Sequence, residues 1–545
     1  MLIDKKAFYK FRYLWLMLSG ALTALPLVIP SLGFLQWIAI IPCAMLLYIM
    51  SDGVSIAKRK AYLLGLTFFM SYYVVVFHWF FYMYPMEFAG ISKGAALVVV
   101  IVATLGLSLV QSFFSAWLFV IFNILAKSAV AKKYPLLRPM FLPVLWVIFE
   151  WWQTIGWWGV PWGRLCIGQA YSLVSLQSAS IFGSYFVSFL IVLVNSFMAY
   201  AILNQRWSKL LCGLCVAVVV VNTAFGVIYR ATTKDDGESV RVAAIQGNIS
   251  SDDKWTSGEG QFLEIFNTYA DLTKEASENG AKIVLWPETA LPYNFFQNSY
   301  GMVNRVSNLA KECNITLYIS VFTEEKGASY TDRSNDGLYN SIIKINPDGT
   351  YGDEVYSKQH LVPFGEFVPM ENLVMTLIPP LAEIQMLDRD LLEGNSSKPI
   401  SSEYGNIGFG ICFDSIYESV MLGAVREGAE LLCVSTNDAW FEDSRGLYMH
   451  NTQSSLRAIE TGRYVVRSAN TGVSSIISPN GEVLELCPEL QKGYVIEDVY
   501  MRSNTTVYTV IGNTFVYMCM IFCLAIPTVS ALLYKKDKKT NLKKV

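Results

Sequence analysis

The chain has 545 residues, of which 53% are hydrophobic and only 16% charged, with a net charge of −2. Soluble globular chains carry about 25% charged residues, so the deficit points to a membrane. The near-neutral balance and the lack of a basic arm argue against nucleic acid as a partner.

A bilayer core needs about 20 apolar residues per helix. In chain order the apolar runs predict eight spans, near 12–30, 34–50, 61–84, 94–124, 139–156, 178–203, 209–229 and 510–534. The first run shows no clear small-residue cleavage site and a second span follows almost at once, so it reads as retained rather than as a removed leader. Basic residues fall in alternate loops: Lys5, Lys6, Lys10 and Arg12; Lys58, Arg59 and Lys60; Lys127, Lys132, Lys133 and Arg138; Arg206 and Lys209; and a tail from Lys535 to Lys544. By the positive-inside rule these loops and both termini are cytoplasmic, and the large polar segment between spans seven and eight lies on the opposite side. His78 and Glu150 are ionisable groups within or at the ends of apolar runs, open to a helix-pairing or a substrate role. The loop from Trp157 to Gly163 reads equally as an aromatic belt or as a lipid-docking surface.

The expected organisation is a seven-span domain over 1–238, an extracytoplasmic domain over 239–500, and a last span with a basic tail over 501–545. Within the middle segment, β-rich runs alternate with amphipathic ones. Strands are expected at Val240–Gln246, Lys282–Trp286, Thr316–Phe322, Asn340–Ile345, Asn406–Cys412, Leu431–Ser435, Tyr464–Ala469 and Ser474–Ser478. Helices are expected at Gly260–Glu278, Val303–Cys313, Glu418–Glu427 and Met449–Thr461. That alternation predicts an α/β sandwich. Of the ten Cys, no four have zinc-site spacing, and Cys212 with Cys215 reads as two buried helix positions. A disulfide among Cys313, Cys433 and Cys487 stays open.

Reactive groups in α/β folds gather past the carboxyl ends of strands. Glu288 follows the run Ile283-Val284-Leu285-Trp286, and Cys412 ends a Gly-rich run ahead of Asp414. A Cys nucleophile acts as its thiolate and needs a base; acyl transfer also needs a donor for the oxyanion. Glu can shuttle the proton and Lys can supply the donor. A free Cys taken alone is usually a small buried hydrophobe; its position beside ordered Glu and Lys motifs argues for chemistry.

Leu285-Trp286-Pro287-Glu288-Thr289-Ala290, Tyr356-Ser357-Lys358-Gln359-His360-Leu361-Val362-Pro363-Phe364-Gly365-Glu366 and Gly410-Ile411-Cys412-Phe413-Asp414 resemble the Glu, Lys and Cys motifs of the nitrilase superfamily. In that order, 70 residues separate Glu288 from Lys358 and 54 separate Lys358 from Cys412. Leu-Val-Pro-Phe-Gly-Glu after the Lys, Ser435-Thr436-Asn437-Asp438-Ala439-Trp440-Phe441, and Gln246-Gly247-Asn248 followed by Lys254-Trp255 resemble the apolipoprotein N-acyltransferases in particular, as does the seven-plus-one span plan. The resemblance implies a multi-pass helical membrane protein with an inserted αββα domain. It implies Glu288 as general base and acid, Lys358 as oxyanion donor, Cys412 as nucleophile, and Glu366, Phe413 and Asp414 in support. Trp255, Asn437 and Trp440 would bind substrate. The implied reaction takes an acyl chain from a membrane phospholipid, through a Cys thioester, to the α-amino group of a diacylglyceryl-Cys on a lipoprotein, in the bacterial inner membrane. It uses no cofactor and no metal, and the enzyme is expected to be a monomer. Asp414 stands where Glu is expected, Phe413 where Tyr is usual, and Glu442 where Gly is common.

Competing readings are a membrane-anchored carbon–nitrogen hydrolase, a transporter with a degenerate nitrilase domain, and a Cys–His site using His360 or His450. His450 opens an amphipathic helix and reads as a solvated or a helix-start residue. The segment from Ile378-Pro379-Pro380 to about 395 reads as a lid beside the site.

Overall fold

The computed structural model describes residues 4–53, 57–86, 91–235, 237–255, 259–297, 299–324, 337–372, 376 and 390–542. The chain forms two compact units. One comprises Met1–Phe80, Ile101–Thr232 and Ile511–Val545; the other comprises Phe81–Val100 and Thr233–Val510.

The first unit is helical. Among the described residues, five helices are long and apolar enough to cross a membrane: Pro30–Asp52, Lys93–Ala126, Ser184–Leu203, Gln205–Thr232 and Thr514–Lys535. The other three expected spans correspond to the shorter helices Arg12–Val28, Lys58–Val76 and Arg138–Trp152. Lys58–Val76 opens on three basic residues, and a 3₁₀ turn, His78–Met83, takes over where the span was expected to run on to 84. Large apolar side chains face outward: Val216, Val220 and Val221 on one helix, Ile521 and Leu524 on the last. Such bands suit a hydrocarbon surrounding.

Inside this unit, small and polar residues bring helices together, as lipid-embedded bundles require. A Cβ on Gly20 would sit 2.3 Å from the Phe68 carbonyl, so Arg12–Val28 and Lys58–Val76 touch through backbone. Asn195 donates to the Gln36 carbonyl at 2.8 Å and accepts from the Ile40 amide at 2.9 Å. Glu150 is buried and accepts from Trp146 Nε1 at 2.9 Å and the Leu165 amide at 2.8 Å. All ten Cys are free thiols, Cys313, Cys433 and Cys487 among them.

The second unit holds two sheets. The first comprises β1 (Ser239–Gln246), β2 (Ile283–Leu285), β3 (Leu291–Asn294), β4 (Thr316–Glu324), β5 (Leu338–Ile345) and β6 (Tyr351–Ser357), with β13 (Gly493–Tyr500) beside β1. The second comprises β7 (Ile400–Ser402), β8 (Gly405–Ile411), β9 (Leu431–Thr436), β10 (Val465–Ala469), β11 (Ser474–Ile477) and β12 (Val483–Cys487), in the order β12-β11-β10-β9-β8-β7. β1, β2 and β4 run parallel, as do β8, β9 and β10. Parallel strands covered on both faces read as continuous apolar runs, which is why they are legible in the sequence.

The sheets pack face to face. The Tyr318 ring on β4 packs tilted against Phe409 on β8 at 4.9 Å, and Ser468 Oγ donates to the Ile245 carbonyl at 2.6 Å. Helices Glu259–Glu278 and Met302–Cys313 cover the first sheet through Phe266, Tyr269, Val306 and Leu309. Helices Glu418–Arg426 and Gly446–Thr461 cover the second through Met421, Ala424 and Ala458. The result is an αββα sandwich of the nitrilase kind. All eight expected strands are present within a residue or two at their ends, and β3, β6, β7, β12 and β13 are additional. β6, Tyr-Gly-Asp-Glu-Val-Tyr-Ser, is an edge strand with five exposed residues in succession, so it carries no apolar signal.

Gly408 sits where β8 meets the helix Glu418–Arg426. A Cβ there would lie 2.7 Å from Ala424 Cβ and 2.9 Å from Ala429 Cβ. These short side chains cannot swing away. Gly408→Val is expected to destabilise the protein by about 1–3 kcal/mol through overpacking, read as a lower thermal midpoint in detergent; an unchanged midpoint would contradict this packing.

Candidate active site

Four of the candidate side chains sit just beyond strands. β2 runs into Trp286-Pro287-Glu288, β6 into Lys358, β8 into Cys412 and β9 into Asn437. Parallel strands of the two facing sheets end at the same edge, which brings these positions together. Glu288, Lys358, Cys412, Asn340, Glu366, Asn437 and Trp440 line one cavity open to solvent, with Ser251, Thr289, Phe322, Val362, Gly365 and Leu391 completing the wall.

Lys358 is 1% exposed. Its ammonium donates to Glu288 Oε1 at 2.9 Å and to Glu366 Oε1 at 2.8 Å. Burial alone would lower the Lys358 ammonium, but Glu288 and Glu366 outweigh it and hold the group well above the usual lysine range. Glu288 also accepts from Asn340 Nδ2 at 2.8 Å and, through Oε2, from the Asn437 amide at 3.0 Å. Glu366 Oε2 accepts from the Val362 amide at 2.8 Å. Burial pushes the Glu366 carboxyl up, against the pull of Lys358.

Cys412 adopts φ 48°, an uncommon backbone for a residue with a Cβ, as the chain leaves β8 for a 3₁₀ turn. Burial pushes the Cys412 thiol up; the Glu288 carboxylate adds to this and Lys358 opposes it. The thiol is therefore protonated at rest near neutral pH and needs a base to ionise.

Asp414 is fully buried and ties two of these elements together. It accepts from the Ile411 amide at 3.1 Å on the Cys412 side. On the Lys358 side it accepts from the Gln359 and His360 amides at 3.1 and 2.8 Å, and from Tyr356 Oη at 2.7 Å. Its short side chain makes these contacts without the extra methylene of Glu. Phe413 packs edge-on against Tyr417 at 5.4 Å. Glu442 has φ 46° and ψ −130°, a conformation Gly adopts readily, so Gly is the natural residue there. Trp255 ends the short helix Ser251–Trp255, and its side chain lies outside the described residues. So does most of the expected lid, of which 390–395 are described.

His450 differs from expectation. It is buried, not solvated, because its helix begins at Gly446 and turns this residue inward. Nδ1 lies 2.8 Å from Asp438 Oδ1, and Nε2 lies 3.0 Å from Ser415 Oγ and 3.2 Å from the Cys412 carbonyl oxygen. Arg467 donates to Asp438 Oδ2 at 2.8 Å. Burial holds the His450 imidazole below its usual range, with Arg467 adding to the effect. His450 thus supports the backbone of Cys412. His360 stacks on Tyr417 at 3.8 Å and contacts Asp414, outside the cavity wall. Asn340, which binds both carboxylates, has no motif to announce it; a polar residue entering the apolar run Ile342-Ile343 is its one signal.

The chain matches the profile of the carbon–nitrogen hydrolases over residues 241–506 and that of the apolipoprotein N-acyltransferase N-terminal domain over 19–197. It is 29% identical over 500 residues to an apolipoprotein N-acyltransferase of Gloeobacter violaceus, covering 91% of this chain and 90% of that one. It is 29% identical over 517 residues to that of Geobacter metallireducens, covering 93% of each. With that of Shewanella oneidensis it shares 30% identity over 415 residues, covering 73% of this chain and 74% of the relative.

Asp414→Ala would strand three backbone amides and the Tyr356 hydroxyl. It is expected to lower the unfolding free energy by about 3 kcal/mol or more and to slow alkylation of Cys412 by iodoacetamide. A stability within about 0.5 kcal/mol of the parent would show that Asp414 is not the clamp.

Proposed function

The chain belongs to the apolipoprotein N-acyltransferases, enzymes with a carbon–nitrogen hydrolase domain, and from that premise we propose that Cys412 carries the acyl group as a thioester between a membrane phospholipid and a lipoprotein amine. The protein is a bacterial membrane N-acyltransferase of lipoprotein maturation. The observation that carries the assignment of residues is the Lys358 ammonium shared between Glu288 and Glu366 in the cavity that Cys412 also lines.

In the first half-reaction Glu288 takes the thiol proton and the thiolate attacks the ester carbonyl carbon of the phospholipid. The carbonyl oxygen becomes an oxyanion held by Lys358 Nζ. Collapse breaks the C–O bond, Glu288 returns its proton to the leaving alkoxide, and a lysophospholipid departs. In the second, the α-amino group of the diacylglyceryl-Cys attacks the thioester carbonyl, Glu288 accepts a proton from the amine, and the C–S bond breaks. The amide leaves and the sulfur regains a proton. Lys358 serves both oxyanions, because the charge develops at the same carbonyl oxygen. Glu366 and Asn340 orient Lys358 and Glu288. Asn437 and Trp440 line the acyl pocket, Trp255 is a further candidate for substrate binding, and Phe413 and Asp414 support the turn bearing the nucleophile.

We further place eight spans in the inner membrane, with both termini cytoplasmic and residues 239–500 periplasmic. The alternating basic loops support this orientation. Two substrates anchored in the bilayer account for a multi-span domain that a soluble amide would not require. The enzyme acts as a monomer, without a metal or organic cofactor.

Intact-mass analysis after exposure to phospholipid vesicles is expected to show one acyl adduct, absent from Cys412→Ala. Glu288→Gln and Lys358→Met are expected to slow its formation by about 10²-fold or more. An undiminished adduct in Cys412→Ala would refute the nucleophile. For the orientation, a Cys introduced at the exposed Glu278 is expected to react from the periplasmic side with a membrane-impermeant maleimide; labelling from the cytoplasmic side alone would reverse the topology.

A further inference from the structure

We propose that Lys254 is a second buried cation of the acylation site, a positioning residue whose charge, set against Glu288 and Glu366, keeps Glu288 free to take the Cys412 proton. This rests on the roles proposed above for Glu288, Lys358 and Cys412.

Lys254 lies on the short helix Ser251–Trp255 that follows β1, and only 2% of it is exposed. Its ammonium donates to the carbonyl oxygen of Glu288 at 2.9 Å. That peptide sits at a constrained turn. The Glu288 amide donates to the Thr436 carbonyl at 3.4 Å, the Thr289 amide donates to Ser320 Oγ at 3.0 Å, and Thr289 has φ 45°. Burying an ammonium is costly, and any neutral N–H donor could hold a carbonyl. The charge itself therefore calls for a reason.

The groups facing the Glu288 carboxylate supply it. They are Asn340 on β5, Lys358 after β6, Glu366 in the loop that follows, and the Asn437 amide after β9. Cys412, after β8, shares the cavity. Two carboxyls share Lys358, and with both ionised the site without Lys254 carries one excess negative charge. Asp438 does not change this count, because Arg467 pairs with it at 2.8 Å. An excess negative charge opposes formation of the Cys412 thiolate, which the Glu288 carboxylate already disfavours. Lys254 brings the site to two charges of each sign. Burial lowers the Lys254 ammonium to about 8, with the Glu288 carboxylate resisting the fall, so the cation persists through neutral pH. The same charge balance holds for both half-reactions, since each begins with Glu288 accepting a proton.

The test follows thioester formation from phospholipid vesicles, by intact mass, in the full-length protein between about pH 5 and pH 9. Lys254→Gln keeps an N–H donor for the Glu288 carbonyl and removes the charge. Lys254→Arg keeps both. The pH of half-maximal acylation in Lys254→Gln is expected to rise by about one unit, with a roughly tenfold loss on the acid side that recovers as pH increases. Lys254→Arg is expected to stay within about threefold of the parent at every pH. A Lys254→Gln profile that overlays the parent, or falls equally at every pH, overturns the proposal. Lys254→Met, of similar length and uncharged, is scored by the same criteria if Lys254→Gln lowers the thermal midpoint. Cys412→Ala is run alongside. An adduct surviving there defeats the site reading itself, whereas its loss there beside an unshifted Lys254→Gln profile defeats the role of Lys254 alone.

Discussion

An ammonium held out of water between two carboxylates is the constraint on which the catalytic domain depends. Lys358 is 1% exposed and touches Glu288 and Glu366 at 2.9 and 2.8 Å. Taking three charges out of water costs several kcal/mol each unless geometry and further hydrogen bonds compensate. Asn340, the Asn437 amide and the Val362 amide provide those bonds. The cluster is weak evidence for stability and strong evidence for chemistry, because a hydrophobic trio of the same volume would fold as well. On the proposed roles it presents a fixed donor to a carbonyl oxygen and a fixed base to the Cys412 thiol.

The two-sheet architecture exists in a form that places these groups. Parallel strands β2, β8 and β9 end at a common edge, so residues far apart in the chain meet without long side chains. Asp414 then ties the Cys412 turn to the Lys358 segment through backbone amides, while Asp438, Arg467 and His450 support that turn from behind. The backbone is thus held from both sides at a residue with positive φ. Burial pushes the Cys412 thiol up, which favours its protonated form at rest.

A lipoprotein acceptor belongs to a membrane, and the chain joins its catalytic domain to apolar helices. In the helical unit the same economy of small and polar contacts recurs, with Gly20 against backbone and Asn195 bridging Gln36 and Ile40. Apolar side chains are left on the outside, where lipid would cover them.

Some of this was determined by the sequence alone. Apolar runs, basic loops and buried strands such as Ile283-Val284-Leu285 and Leu431–Thr436 follow local rules of burial, so composition and periodicity reveal them. The motifs around Glu288, Lys358 and Cys412 are likewise contiguous and readable. The edge strand β6, with five exposed residues in a row, is held by pairing with β5, and nothing in its own sequence reports that pairing. The inward turn of His450 depended on where its helix starts. The contacts of Asn340, Asp414 and Lys254 join residues 26 to 58 positions apart. Those contacts are set by the strand order within the first sheet and by how the two sheets stack, properties of the whole packed chain, and only the tertiary structure could decide them.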